Sequence, residues 1–257
     1  FGSLTLKQCK YGWMLYAGPY IGTCFDRYGQ YSESEVEVMR NFLIEGSVAI
    51  DIGANIGDLT LPLARIVGPT GRVIAVESHP VTFNILCANL ALNAISNVRP
   101  LNVYLTPDGA DATNAGTWGQ EAYVGDYWPP SYAALDSLDI PQCDLIKIDV
   151  DGAALAVHAR REMIIEKHRP VLYFENDQEE RSASLLEFAM RQLGYDLYWH
   201  PAPIFDPDNI AGDPINHWAP DNIVSRMILG VPREQGRRVA LLKKIARADE
   251  WWDSVGG

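Results

Sequence analysis

The 257 residues suffice for one large α/β domain with a full core, or for two small domains. Formal charge is 21 − 33 = −12, and such a surface gains nothing from nucleic-acid phosphates or an anionic membrane, so neither is an expected partner. No run approaches the roughly 18 apolar residues of a membrane span, and Cys9, Cys24, Cys87 and Cys143 are too scattered for a zinc knuckle or a disulfide framework.

The first 28 residues are rich in Gly and Tyr, and Tyr11 to Ala17 followed by Tyr20 to Phe25 reads as a hairpin turned at Gly18-Pro19. Ser32-Glu-Ser-Glu35 has the capping-box form and predicts a helix over Val36 to Leu43, ended by Gly46. Ser47 to Ile52 is short, apolar and β-branched, as a buried parallel strand should be. Further strands are expected at 72–77, 98–105, 143–150, 171–175, 195–199 and 224–230, and helices at 57–67, 80–93, 153–166 and 182–193. This alternation predicts right-handed crossovers around a mostly parallel sheet with helices on both faces. Two long irregular stretches, 106–134 and 200–222, are expected as lids or binding walls. Residues 1–45 are read as a hairpin and helix packing on the core, 46–235 as the α/β domain, and 236–257 as a C-terminal helix or tail. Arg237, Arg238, Lys243, Lys244 and Arg247 are read as a solvated face of that helix. Trp251-Trp252 would pack it on this domain or on a second copy, a homo-oligomer. No leader is visible, which sets a cytoplasmic expectation; the chain also opens at Phe1 and reads equally as part of something longer.

The central motif is Asp51-Ile-Gly-Ala-Asn-Ile-Gly57, a buried strand running through two glycines into a helix. Glycines there let the backbone turn sharply and approach a ligand, and the free N–H groups of the following helix face it. The next strand ends in Glu77, an acid placed to accept both hydroxyls of a ribose. Dinucleotide sites normally show G-x-G-x-x-G; here the spacing is Gly53-x-x-x-Gly57, and Asp51 would repel a pyrophosphate. An acid there suits a ligand carrying an ammonium and a sulfonium, which favours S-adenosylmethionine.

Several segments, in order, resemble the FkbM family of methyltransferases. They are Gly29-Gln-Tyr-Ser-Glu-Ser-Glu35, Val48 to Gly57, Gly71 to Glu77, Leu135-Asp136-Ser-Leu138, Asp144 to Gly152 and Arg169 to Glu175. The stretches Phe205 to Asn209 and Asn222 to Ser225 also resemble segments of many members. The resemblance implies a Rossmann-like class I methyltransferase fold, with a seven-stranded sheet whose last strand is antiparallel. It also implies methyl transfer to oxygen of sugars, glycans or polyketide-type alcohols. On that pattern Asp51, Gly53, Ala54, Asn55 and Gly57 line the methionine side of the cofactor, Glu77 holds its ribose, and Ser78 and Asp136 complete the cofactor site. The chain departs from the pattern at Asp151, at Ser78-His79-Pro80, and at Ala153 and Ala154.

Methyl transfer needs acceptor oxygen, methyl and sulfur held in line, and an alcohol must lose its proton to a base. Ligands of open α/β sheets bind at the carboxyl ends of the strands, which nominates Asp149 and Asp151 after strand four and Glu175 and Asn176 after strand five. Asp149 is the first choice of base, with Lys147 orienting the acceptor or neutralising Asp149. A magnesium ion on Asp149, Asp151 and Glu175, with Asn176, is a second route to the same activation. His79, His200 and His217 could line the pocket, whereas His158 and His168 read as helix-surface residues. Trp118, Tyr123, Tyr127, Trp128 and Tyr132 are read either as a sugar platform or as rings pinning their loop. The alternatives are a catalytically silent cofactor-binding module and a nicotinamide-dependent oxidoreductase.

Overall fold

The computed structural model describes residues 3–106, 109, 131–150, 163–176, 179–219 and 224–251. The chain opens with an antiparallel hairpin of β1 (Thr5–Cys9) and β2 (Gly12–Tyr16). Helices α1 (Ile21–Tyr28) and α2 (Glu33–Arg40) follow. The hairpin therefore lies earlier than expected and turns at Lys10-Tyr11, not at Gly18-Pro19. The stretch read as its second strand is helical because Cys24, Phe25 and Tyr28 are buried at helical spacing on one face. The capping box is also realised differently. Ser32 takes a left-handed backbone (φ 41°) and its hydroxyl donates to the Glu35 carboxylate at 2.6 Å instead of accepting from a free backbone N–H.

The α/β domain runs β3 (Val48–Ile52), α3 (Thr60–Val67), β4 (Arg72–Val76), α4 (Pro80–Leu92) and β5 (Val98–Leu101). Next come β6 (Val103–Leu105), β7 (Ser131–Ala133), β8 (Leu145–Ile148), α5 (Met163–His168) and β9 (Val171–Glu175). The chain continues with α6 (Glu179–Glu187), β10 (Tyr195–Pro203), β11 (Val224–Pro232) and β12 (Lys243–Lys244). The main sheet has the order β12-β10-β11-β9-β8-β3-β4-β5. Five neighbours, β9 through β5, run parallel, and β11 is antiparallel to both β9 and β10. This is the expected mostly parallel sheet with a reversed late strand.

An eighth strand, β12, pairs with the edge of β10 where a C-terminal helix was expected. Residues 236–251 hold no helix, because Ile245, 1% exposed, reaches the core from an extended edge. Lys244 pairs with Asp196 at 2.7 Å instead of lining a helix face. The strand expected over 98–105 breaks at Asn102, whose side-chain amide donates to the carbonyls of Glu77 and Ser78. β6 leaves the sheet there and pairs with β7.

The sheet is buried on both faces, which is why its central strands read as unbroken apolar runs. Ile50, Ile52, Ile146, Ile148, Leu172 and Phe174 pack toward α5 and α6. Ala49, Leu145, Val171 and Tyr173 pack toward Val36 and Met39 of α2 and Leu63 and Val67 of α3. The hairpin joins the core through Met14 and Tyr16, which meet Leu61, Ile85 and Leu86. Its edge is closed by α4: Asn89 bonds both backbone groups of Leu15, and Asn93 both of Trp13. An edge strand is thereby left with fewer open backbone groups. Among the described residues no helix is long and apolar enough to cross a membrane.

Candidate active site

β3 ends at the carboxyl edge of the sheet, and Gly53 to Gly57 turn across it before α3 begins at Thr60, three residues later than expected. Gly53 has φ +76°, and a Cβ there would lie 1.9 Å from the Asp149 carbonyl oxygen. Only glycine lets this turn lie flat on the chain leaving β8. The N–H groups of Gly53 and Ala54 both donate to the Val76 carbonyl. Asn55, at φ 49°, donates its N–H to Glu77 Oε2 at 2.8 Å, and His79 N–H donates to Oε1 at 2.8 Å. Glu77 thus ties together the turns after β3 and β4. Burial raises its pKa, and the two N–H groups oppose the rise. Its carboxylate keeps further lone pairs for a ribose. Ser78 is half-buried beside it, and His79 caps α4 by accepting from Thr82 N–H.

Asp51, by contrast, is closed off from the cleft. It is 0% exposed; Thr60 Oγ1 donates to its Oδ2 at 2.6 Å, and Lys147 Nζ lies 3.1 Å from Oδ1. The same ammonium donates to the Gly53 carbonyl at 2.9 Å and stands 3.5 Å from Asp149 Oδ2. Lys147 is itself 2% exposed. Burial alone would lower its pKa, but Asp51 and Asp149, then Asp58 and Glu35, outweigh burial and raise it. Lys147 therefore neutralises acids from below the site and does not reach toward an acceptor. The Asp149 side chain is 39% exposed and opens to the cleft.

Two carboxylates that sequence reasoning passed over stand around Lys147. Glu35, the capping-box acid, is buried, and its pKa is raised to about 7 by burial and then by Asp149, against Ser32, Lys147 and Ser225. Asp58, directly after Gly57, is raised to about 7 by burial, with Lys147 opposing and Asp51 and Asp149 adding. Glu35 Oε2 and Asp58 Oδ1 are buried with no hydrogen-bond partner among the described residues. Tyr31 feels Asp58, Glu35 and Asp149, and Tyr20 feels Glu35, Asp149 and Glu175, so both tyrosines lie within electrostatic reach of these acids. An acid adjoining the last glycine of the motif was a readable signal; Glu35 had none beyond its capping pattern.

Ionising a buried acid costs stability, which gives a sign. A carboxylate with a raised folded pKa favours the protonated fold, so stability is greatest near the ordinary carboxylate range. It falls as pH rises from that range to about 7 and levels off above it. Glu35→Gln should flatten the fall in unfolding free energy between pH 5 and 8 by on the order of 1–3 kcal/mol. Urea midpoints that keep the wild-type pH slope would show that Glu35 is not a source of it.

Of the stretch 200–222 expected as a lid or binding wall, residues 200–203 extend β10 and the described residues 204–219 are docked. Ile204 and Phe205 pack with Cys24 and Tyr28, and Gln30 donates to Asp206 at 2.7 Å. Tyr28 OH accepts from His217 N–H at 2.9 Å, while the Tyr20 and Trp218 rings lie 5.1 Å apart. His217 pairs with Asp213, and His200 is buried with Nδ1 against Tyr173 OH at 2.7 Å. Burial holds the His200 pKa at about 4, so the ring is neutral.

Asp136 lies exposed, with its two oxygens accepting from Met163 and Ile164 N–H at 2.9 Å; it caps α5. Glu175 is half-buried at the end of β9, and Asn176 anchors Ser182 at 2.8 Å. Tyr132 faces Tyr104 across β6 and β7, and His168 is half-buried at the end of α5. Asp151, His158, Trp118, Tyr123, Tyr127 and Trp128 lie outside the described residues. Among those described, no group of three or more His, Cys, Asp or Glu is arranged to hold a metal.

The profile of the methyltransferase FkbM domain matches residues 51–197. A solved FkbM methyltransferase from Methylobacillus flagellatus superposes with a TM-score of 0.52 at 14% identity, over 73% of this chain and 44% of that one. A SAM-dependent O-methyltransferase from Thermotoga maritima gives 0.50 at 15% identity, over 81% of this chain and 66% of that one. Among curated proteins, the tRNA(Phe) (4-demethylwyosine(37)-C(7)) aminocarboxypropyltransferase of Methanocaldococcus jannaschii is 40% identical over 57 residues, 22% of either chain. The chain thus spans about a fifth of that relative.

Proposed function

The chain belongs to the FkbM methyltransferase family, and from that premise we propose that it methylates a hydroxyl oxygen of a small acceptor such as a sugar, glycan or polyketide-like alcohol. It is an S-adenosylmethionine-dependent methyltransferase. The residues present fit that cofactor. Gly53 lets the turn after β3 lie directly against the Asp149 backbone, which any Cβ would prevent, and Glu77 stands at the turn with lone pairs to spare. When bound, S-adenosylmethionine supplies an electrophilic methyl group on a sulfonium.

The observation that carries the reading is the placement of Asp149. Its carboxylate opens to the cleft while its carbonyl abuts Gly53, so base and cofactor loop are held by one contact. Asp149 would accept the proton of the acceptor hydroxyl, with the Lys147 ammonium 3.5 Å from its Oδ2. Tyr20 and Tyr31 offer flat, polar-tipped walls for a hydroxylated ligand. In this reading residues 1–45 roof the 46–235 domain. The charge of −12 disfavours an RNA acceptor, although one short match is to a tRNA-modifying enzyme.

The test is methyl transfer from labelled S-adenosylmethionine to a panel of sugars, polyketide alcohols and tRNA. Label on alcohol oxygen supports the proposal; label confined to tRNA overturns it. With an active acceptor, Asp149→Asn should lower kcat about 10²–10⁴-fold and leave S-adenosylhomocysteine affinity nearly unchanged. A full-rate variant would remove Asp149 as the base.

A further inference from the structure

We propose that Glu35 and Asp58, and not Asp51, are the anions that receive the ammonium group of the cofactor's amino-acid moiety. The inference rests on the S-adenosylmethionine reading above and deepens it. Asp51 at the motif's strand tip is the expected partner, but it is 0% exposed, its Oδ2 accepts from Thr60, and its Oδ1, which makes no hydrogen bond among the described residues, is ion-paired with Lys147 at 3.1 Å. Lys147, in turn, is committed to Asp51, the Gly53 carbonyl and Asp149. Among the described residues neither Glu35 nor Asp58 has an ion pair within 4 Å, although both feel the Lys147 charge.

Each also leaves one buried oxygen, Oε2 of Glu35 and Oδ1 of Asp58, with no hydrogen-bond partner among the described residues. A buried acceptor left unmade is costly, and the natural remedy is a donor brought by a ligand. A charged donor gives the strongest such bond. The placement agrees: Asp58 follows the last glycine of the cofactor loop, and Tyr31 and Lys147 both lie within electrostatic reach of Glu35 and Asp58.

Binding there carries a proton signature. The groups facing Glu35 are Asp149 and Lys147 from β8 and the chain beyond it, Tyr173 from β9, Ser32 and Ser225. Those facing Asp58 are Lys147, Asp51, Asp149 and Tyr31. Burial holds both tyrosines protonated well beyond neutral pH, so the acids raised to about 7 are the groups that titrate there. An ammonium favours their ionised forms, so protons leave as the ligand binds and affinity rises from pH 6 to 8.

The experiment is calorimetry of S-adenosylhomocysteine and 5′-methylthioadenosine, which lacks the amino-acid moiety, on wild type, Glu35→Gln and Asp58→Asn. At least one variant should lose about tenfold or more in affinity for the first ligand and less than about twofold for the second. In wild type, the binding enthalpy of S-adenosylhomocysteine should vary with buffer ionisation heat in the sense of proton release. Equal losses for both ligands, or no loss in either variant, would overturn the proposal. If neither variant folds, absence of proton release in wild type would overturn it alone. Wild type that binds neither ligand would overturn the cofactor reading itself, a result distinct from unaltered selectivity.

Discussion

Lys147→Met should destabilise the fold by about 3–5 kcal/mol, the usual cost of stripping one partner from a buried ion pair. The residue is nearly isosteric along its stem, so packing is largely kept while the charge is lost. Asp51, 0% exposed, would then hold a charge with only the Thr60 hydroxyl beside it. The Gly53 carbonyl would lose its donor in the same step. Since whole domains are stable by only about 5–15 kcal/mol, this is enough to bring the protein near unfolding. Urea titration at pH 7.5 measures the loss. Combining the change with Asp51→Asn should return a large part of it, because the orphaned charge goes too. A single variant as stable as wild type would mean that the pair is not what holds β3 and β8 together at this edge. The pH signature also differs from that of Glu35. A base with a raised folded pKa contributes fully below its ordinary value, about 10.4, and loses its contribution only as pH climbs beyond that. The Lys147 contribution is therefore constant where the Glu35 penalty changes.

Gly53→Ala should weaken S-adenosylhomocysteine binding by about a hundredfold, the scale on which a displacement of roughly 1 Å is felt. The added Cβ would stand 1.9 Å from the Asp149 carbonyl oxygen and 3.0 Å from a Val150 methyl, at a φ of +76°. The nearest obstacle is backbone, so the loop must rise, carrying Asn55 N–H away from Glu77. Gly57→Ala is a useful contrast. Its Cβ would meet the methyl ends of Leu86 and Leu61 at 2.9 and 3.0 Å, which can swing aside, so its cost comes from φ +92° and not from collision with the main chain. Affinity at the Gly53 variant equal to wild type would mean that the loop tolerates lifting and does not form the cofactor seat.

Much of this was readable in the chain. The strand-glycine-helix run at Asp51 to Gly57 and the acid Glu77 beside it were legible, because glycine turns and strand tips are local features written in adjacent residues. The antiparallel late strand followed from the family resemblance. Misreadings arose where local patterns were ambiguous. Tyr20 to Phe25 is apolar at spacings open to strand or helix, and packing under Ile204 selected the helix. Residues 243–244 gained a strand only because the edge of β10 was free to pair with them.

The alternation of strands and helices and the position of the glycine loop were legible in the chain, since hydrophobic period and glycine placement act over short stretches; the order of the strands and the eighth strand were not. Which acids are buried against Lys147, and which stand more open, is a property of the folded chain. Whether Asp51 faces a ligand or a lysine depends on Lys147, 96 residues along the chain and next to it in register across the sheet. Whether Glu35 caps a helix or enters the cleft depends on α2 packing over β8 and β9. Charges interact through space at a few ångströms, and no spacing along a chain records which distant residues the fold will bring within that reach.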